Sequence, residues 1–217
     1  QIGTRLEDVG SFAKSVGGCP TNIAVGTSRL GLKSGLVTRV GDEQIGRFIR
    51  EQLIREGVET AGIVTDPDRL TALVLLSVEN EHAFPLIFYR DNCADNALNE
   101  ADIDETFIRS ARSVLVTGTH FSKPHTDAAQ RKAMAIARAN GARVILDIDY
   151  RPNLWGLAGH DAGDSRYIAS DKVSSHMKTV LADCDLIVGT EEEVLIASGE
   201  ADLLSALRTI RALSSAT

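Results

Sequence analysis

Apolar positions along this chain alternate between a helical period and a strand period, and the switches between the two mark out its elements. From 20 to 30 they recur at helical spacing, with Ile23, Ala24, Thr27 and Leu30 on one face. Residues 34–40, carrying Leu36, Val37 and Val40, read as a buried strand. Helical spacing returns over 43–56 with Ile45, Phe48, Ile49, Gln52 and Leu53, and Gly57 supplies the C-terminal cap. Three β-branched or aromatic runs follow at 62–65, 71–78 and 84–89, separated by the turn-forming DPDR and ENEHAF. They predict a small, largely antiparallel sheet. After Asp102 the alternation is strand 113–118, helix 127–140, strand 143–148, a Gly- and Pro-rich loop 149–163, and a helix from about 164 to 182. Strand 186–188 and helices 191–197 and 201–213 complete it.

Strand and helix in turn predict an α/β fold: a doubly wound, mostly parallel sheet flanked by helices, with right-handed crossovers. The small sheet interrupts that order, so it is expected to protrude as a lid around 62–90 from a single domain spanning 1–217. A short edge segment is expected within 5–16. No tandem repeat or low-complexity linker is visible.

Composition narrows the function. The 217 residues include 43% hydrophobic and 24% charged side chains, and no apolar run approaches the ~18 residues of a membrane span. A net charge of −7 argues against nucleic acid as the main partner, since tracking phosphates needs an excess of Lys and Arg. Cys19, Cys93 and Cys184 are far apart, without metal-knot spacing and odd in number. Neither a disulfide framework nor a zinc site is expected, which, with no signal-peptide pattern over residues 1–10, predicts a cytoplasmic protein.

Four stretches carry candidate chemistry. Gly17-Gly18, followed by Pro20 and Thr21, brings backbone N–H groups and a helix start to one point suited to a polar or anionic ligand; the plain alternative is a tight turn with Asn22 in the first helical turn. Phe88-Tyr89-Arg90-Asp91 offers an aromatic wall and a guanidinium for a carboxylate or sugar oxygen, or else an Arg90 paired with Asp91 or Asp95. In Asp147-Ile148-Asp149-Tyr150-Arg151-Pro152, alternation sends both aspartates to one side and Pro152 stops the ladder. There Arg151 either faces a ligand or is neutralised by Asp147 or Asp149. Thr190-Glu191-Glu192-Glu193 opens a helix, where acids are also expected from the macrodipole. Arg90 and Arg151, converging from lid and main sheet, would suit a substrate bearing a carboxylate better than a neutral hexose, because a buried arginine without an anion is costly. Walker A, GxGxxG, GxSxG and HExxH patterns are absent, and His82, His120, His125, His160 and His176 lack ligand spacing.

The pattern GGxxxNxAxxxxxLG from Gly17, continued by RVGDxxxG from Arg39, resembles the N-terminal signature of the ribokinase-like carbohydrate kinases, the PfkB family. DIDYRPNLW resembles the family's DxNxR segment with Asp149 in place of Asn, and VGTEEE its NxxE loop with Thr190 in place of Asn and Glu193 matching the Glu. The resemblance implies a ribokinase-like fold with ATP and Mg2+ as cofactors. It puts Gly18, Asn22 and Arg151 at the substrate beside Phe88, Tyr89 and Arg90, Thr190 and Glu193 at the nucleotide, and Glu193 on the magnesium side.

GGCPTNIA, FPLIFYRD, VTGTHFS, DIDYRPNLW and VGTEEE together are most similar to the branch that phosphorylates 5-dehydro-2-deoxygluconate, with 2-keto-3-deoxygluconate kinases as the alternative. The implied reaction moves the γ-phosphoryl of ATP to a primary hydroxyl of a sugar acid, a transfer that rests on positioning and charge stabilisation. The family's DTxGAGD segment, which carries the catalytic base, is not matched, and the strand bearing its substrate Asp would precede Gln1. No catalytic residue is therefore assigned here, and these residues by themselves, incomplete at both ends, are expected to be inactive. A non-catalytic sugar-acid binding module would use the same arginines without needing Glu193. A dinucleotide oxidoreductase would need a glycine fingerprint the chain lacks. The lid is also expected to pair with its twin in a homodimer.

Overall fold

A computed structural model describes residues 3–81, 84–159 and 167–217. The chain divides into two compact units, the described parts of Gln1–Ala97 with Gly156–Arg166, and of Leu98–Trp155 with Tyr167–Thr217.

In the first unit the order is α1 (Cys19–Arg29), β1 (Thr38–Gly41), α2 (Gln44–Arg55), β2 (Ile63–Asp66), β3 (Leu73–Leu76) and β4 (Leu86–Tyr89). Pro20 sits in the first turn of α1, where its missing N–H leaves no bond unmade. Glu43 starts α2 by accepting from the amides of Ile45 and Gly46. The apolar faces of these helices and strands meet in a core of Ala24, Leu36, Val40, Leu53, Val58 and Ile63, with Val25 and Ile49 packed against it.

Two expectations are corrected here. Leu30 does not share the packed face of α1 but is 83% exposed, because the helix ends at Arg29 and the chain turns through Gly31 at φ +88°. The run at 62–65 does not join an antiparallel sheet either. As β2 it lies parallel to β1, Thr38 opposite Ile63 and Gly41 opposite Asp66, with a further bridge from Gly35 to Glu59. Ile63 belongs to the core under β1, and Asp66 meets Arg39 of β1, so burial and charge both hold it there. The other two runs pair antiparallel as β3 and β4, Leu73 opposite Tyr89 and Leu76 opposite Leu86. The expected edge segment is a 3-10 turn over Leu6–Asp8, preceded by bonds from Gly3 N to Val78 O and from Ser77 Oγ to Thr4 O.

The second unit runs α3 (Glu105–Arg109), β5 (Ser113–Thr117), α4 (Pro124–Ala139), β6 (Arg143–Asp147), α5 (Asp171–Leu181), β7 (Leu186–Val188), α6 (Glu191–Ser198) and α7 (Leu203–Leu213). Its three strands form one parallel sheet in the order β5-β6-β7. Val144 and Leu146 of β6 are fully buried, as are Ala137 of α4 and Val180 and Leu181 of α5, so the central strand and its flanking helices share a dry interior. The acidic run 99–105 supplies caps: Asn99 and Asp102 form a capping box and Asp104 caps α3. The helix expected from about 164 begins at Asp171; residues 160–166 lie outside the described residues, as do His82 and His160. Parallel ladders flanked by helices in both units make this an α/β protein. Among the described residues no helix is long and apolar enough to cross a membrane.

Candidate functional site

The strand ends of the second unit are drawn together by glycine. A Cβ on Gly118, just after β5, would stand 2.0 Å from the carbonyl oxygen of Ile148, and one on Gly189, just after β7, 2.7 Å from Ile148 Cδ1. Only glycine allows that approach. Ile148 N donates to Val188 O at 2.9 Å, and then the strand geometry stops. Asp149 takes a left-handed φ of +29°, so the alternation that would have placed it beside Asp147 ends one residue before it.

Asp149, Tyr150 and Arg151 are fixed from several directions. Tyr150 N donates to Glu193 Oε1 at 3.0 Å and its hydroxyl to Ile168 O at 2.7 Å; burial pushes that phenol's pKa up. The other Glu193 oxygen, Oε2, accepts from Thr190 N at 2.9 Å, while Thr190 Oγ1 accepts from Glu193 N. Glu193 is thus a buried clamp between the β6 exit and the start of α6. Arg151 Nη2 lies 2.7 Å from Asp149 Oδ1, and Nη1 donates to Tyr150 O at 2.8 Å. The arrangement presents a partly exposed guanidinium on a rigid turn, with its counter-charge beneath it.

Beside this turn lies a polar cluster that the sequence reading did not single out. Gln130 of α4 donates to Thr117 O at 3.0 Å and accepts from Thr117 N at 2.9 Å, imitating a strand neighbour. Buried Thr117 and Thr119 share a hydroxyl bond, and His120 Nδ1 is within 3.4 Å of both. The available signal was VTGTHFS, whose two threonines alternate with glycine at a strand end.

In the first unit, Gly18 is the N-cap of α1 at φ +94°, and its carbonyl accepts from Asn22 N at 2.9 Å. Both residues are exposed. At the end of β4, Phe88 is half-buried and Tyr89 exposed, while Arg90 Nε donates to Asp95 Oδ2 at 2.6 Å and Asn96 Nδ2 to Arg90 O. Arg90 and Arg151 belong to different units, and each has an aspartate partner within its own.

A second knot in this unit, also unforeseen, gathers at the end of β2. Asp66 is wholly buried: Oδ2 meets Arg39 Nη1 at 2.9 Å and Arg69 Nη1 at 3.3 Å, and Oδ1 accepts from the amides of Asp68 and Arg69. Burial works to raise this carboxyl's pKa, but the bonds from Asp68, Arg39 and Arg69 win and hold it below its ordinary value. Glu43 ties the same region to α2, its Oε1 accepting from Thr71 N at 3.0 Å, and it too is held low against the pull of burial. The close glycines of RVGDxxxG fit this knot: a Cβ on Gly46 would lie 2.1 Å from Gly41 O.

Among the described residues, no group of three or more His, Cys, Asp or Glu could hold a metal ion. Cys19, Cys93 and Cys184 form no disulfide among the described residues; Cys184 is pushed up to about 12, chiefly by burial.

Residues 3–216 match the model of the pfkB family carbohydrate kinases. The chain is 36% identical over 194 residues to the 5-dehydro-2-deoxygluconokinase of Geobacillus kaustophilus (strain HTA426), covering 89% of this chain and 54% of that protein. To its namesake from Bacillus subtilis (strain 168) it is 32% identical over 189 residues, 87% of this chain and 54% of that one. The chain therefore spans about half the length of these curated relatives. In structure it is similar to a PfkB protein from Polaromonas sp. JS666, with a TM-score of 0.85, 28% identity and coverage of 99% of this chain and 69% of that chain. It shares its fold with a putative ribokinase II from E. coli solved with ATP and Mg2+, with a TM-score of 0.83, 21% identity and coverage of 99% and 65%. By sequence pattern, fold and family match together, the chain belongs to the pfkB family carbohydrate kinases.

Proposed function

We propose that the protein is an ATP-dependent kinase of 5-dehydro-2-deoxy-D-gluconate, acting at a primary hydroxyl. The observation that carries this reading is the 36% identity to a 5-dehydro-2-deoxygluconokinase across 89% of the chain. Substrate contacts are assigned to Gly18, Asn22, Phe88, Tyr89, Arg90 and Arg151, and nucleotide contacts to Thr190 and Glu193. Since both aspartate-paired arginines are charge-balanced, they hold the sugar by directed N–H donors as much as by charge.

Magnesium would accompany the nucleotide and neutralise phosphate charge. Glu193 is assigned to the magnesium side: each of its oxygens accepts one backbone amide and keeps a second lone pair for the ion or its waters. The β3–β4 pair is the place for a homodimer contact, as Leu73, Val74, Leu76 and Tyr89 are each more than 40% exposed.

A coupled ATP assay on the full-length kinase tests the substrate, comparing 5-dehydro-2-deoxygluconate, 2-keto-3-deoxygluconate, fructose and ribose. The expected result is the highest kcat/KM for the first. A higher value for the second transfers the assignment to the 2-keto-3-deoxygluconate kinases, and binding without turnover favours a non-catalytic module.

A further inference from the structure

We propose that Asp149 is a specificity-determining residue: by pairing with the Arg151 guanidinium, it makes the site select sugars by the geometry of their hydroxyl and keto oxygens rather than by net charge. The proposal rests on the assignment of Arg151 to the substrate made above.

The pair is built into the backbone. Asp149 occupies a left-handed conformation that residues with a side chain rarely adopt, and the next residue is pinned through its amide to Glu193 and through its hydroxyl to Ile168 O. Asp149 Oδ1 and Tyr150 O together orient Arg151 by Nη2 and Nη1. Among the described residues this leaves the Nε–H and one N–H of each terminal nitrogen for a ligand. The Arg151 side chain is 35% exposed and that of Asp149 only 9%, so the cation faces outward above its counter-charge.

A carboxylate approaching this pair is attracted by the guanidinium and repelled by Asp149 slightly farther away, and the opposing effects largely cancel beyond direct contact. A hydroxyl or keto oxygen meets the same donors without the repulsion. Acidic substrates are thereby accepted without being favoured over neutral ones of the same shape. An asparagine at 149 would keep the shape and tolerate the left-handed backbone while leaving Arg151 an unbalanced cation.

The test uses the full-length kinase, with gluconate and its neutral counterpart glucitol as competitive inhibitors against the enzyme's own sugar substrate. Asp149→Asn is expected to shift the ratio of their inhibition constants roughly tenfold in favour of gluconate, more at low salt. Asp149→Gly, which suits the positive φ, should move it the same way. No shift in either variant, or a shift in only one, overturns the proposal, because loss of charge is what the two share. Arg151→Met separates that failure from failure of the underlying assignment: if it weakens gluconate binding, Arg151 stays at the substrate and only the role of Asp149 falls. If it changes neither inhibitor, the assignment of Arg151 falls and takes the proposal with it.

Discussion

Both units use a buried carboxylate to fix the end of a parallel strand, but they satisfy it differently. Asp66 in the first unit is gripped by two guanidinium groups and two amides. Glu193 in the second accepts two backbone amides, from Tyr150 and Thr190. The first knot joins a fully buried carboxylate to two partly exposed guanidinium groups, so it is held by charge-assisted bonds between side chains. The second is held by the path of the backbone, so its worth lies in keeping Asp149 and Arg151 where they are. One acid secures a cluster of charges and the other a turn of the backbone.

The comparison predicts its own order of effects. Asp66→Ala removes the buried acceptor of two backbone amides and two guanidinium groups and should cost about 3 kcal/mol. Hydrogen exchange of the β1–β2 amides would then rise far more than that of β5–β7; equal rises would erase the distinction. The same carboxyl gives a pH signature. Because its folded pKa is depressed below the ordinary 3.8, its contribution is fully present above that pH and is lost as the pH falls through the folded value. An acid titration followed by β1–β2 exchange should show that loss, and Asp66→Asn should flatten it.

Gly46→Ala should cost about 2 kcal/mol, since the added methyl lies 2.1 Å from Gly41 O and the first turn of α2 must move; urea denaturation measures it. Glu193→Gln should cost about 1–2 kcal/mol, because its NH2 cannot accept the amide bond that one carboxylate oxygen takes. Its larger effect would be on the KM for the sugar, through Arg151, and a variant with an altered thermal midpoint but unchanged KM would deny the turn that role. Smallest is Val74→Ser on the exposed β3, expected within about 0.5 kcal/mol. A greater loss in stability, dependent on protein concentration, would instead mark β3 as covered by a second copy.

Much of the fold was legible because it is written in short-range periodicity. α2, β5 and β7 fall within a residue or two of where apolar spacing places them. The pairing of β2 was not legible: residues 62–65 look like any β-branched run, and only the burial of Ile63 and the charge match of Asp66 with Arg39 decide on β1 as neighbour. In the site, Glu193 could be singled out by its family pattern, but not its clamp on Tyr150, which lies 43 positions away in the chain. Gln130 carried no signal, because a glutamine on a helix gives no sign that it will face a strand end.

By itself the sequence determined the α/β alternation, the helix starts at Gly18, Glu43 and Thr190, and membership of a kinase family, since each depends on neighbours a few residues apart or on a fixed pattern of residue types. Only the tertiary structure decided the partners of the charges: Asp95 for Arg90, Asp149 for Arg151, and two arginines for Asp66. An ion pair needs two groups within a few ångströms, and that distance is set by how strands and turns pack, not by residue type.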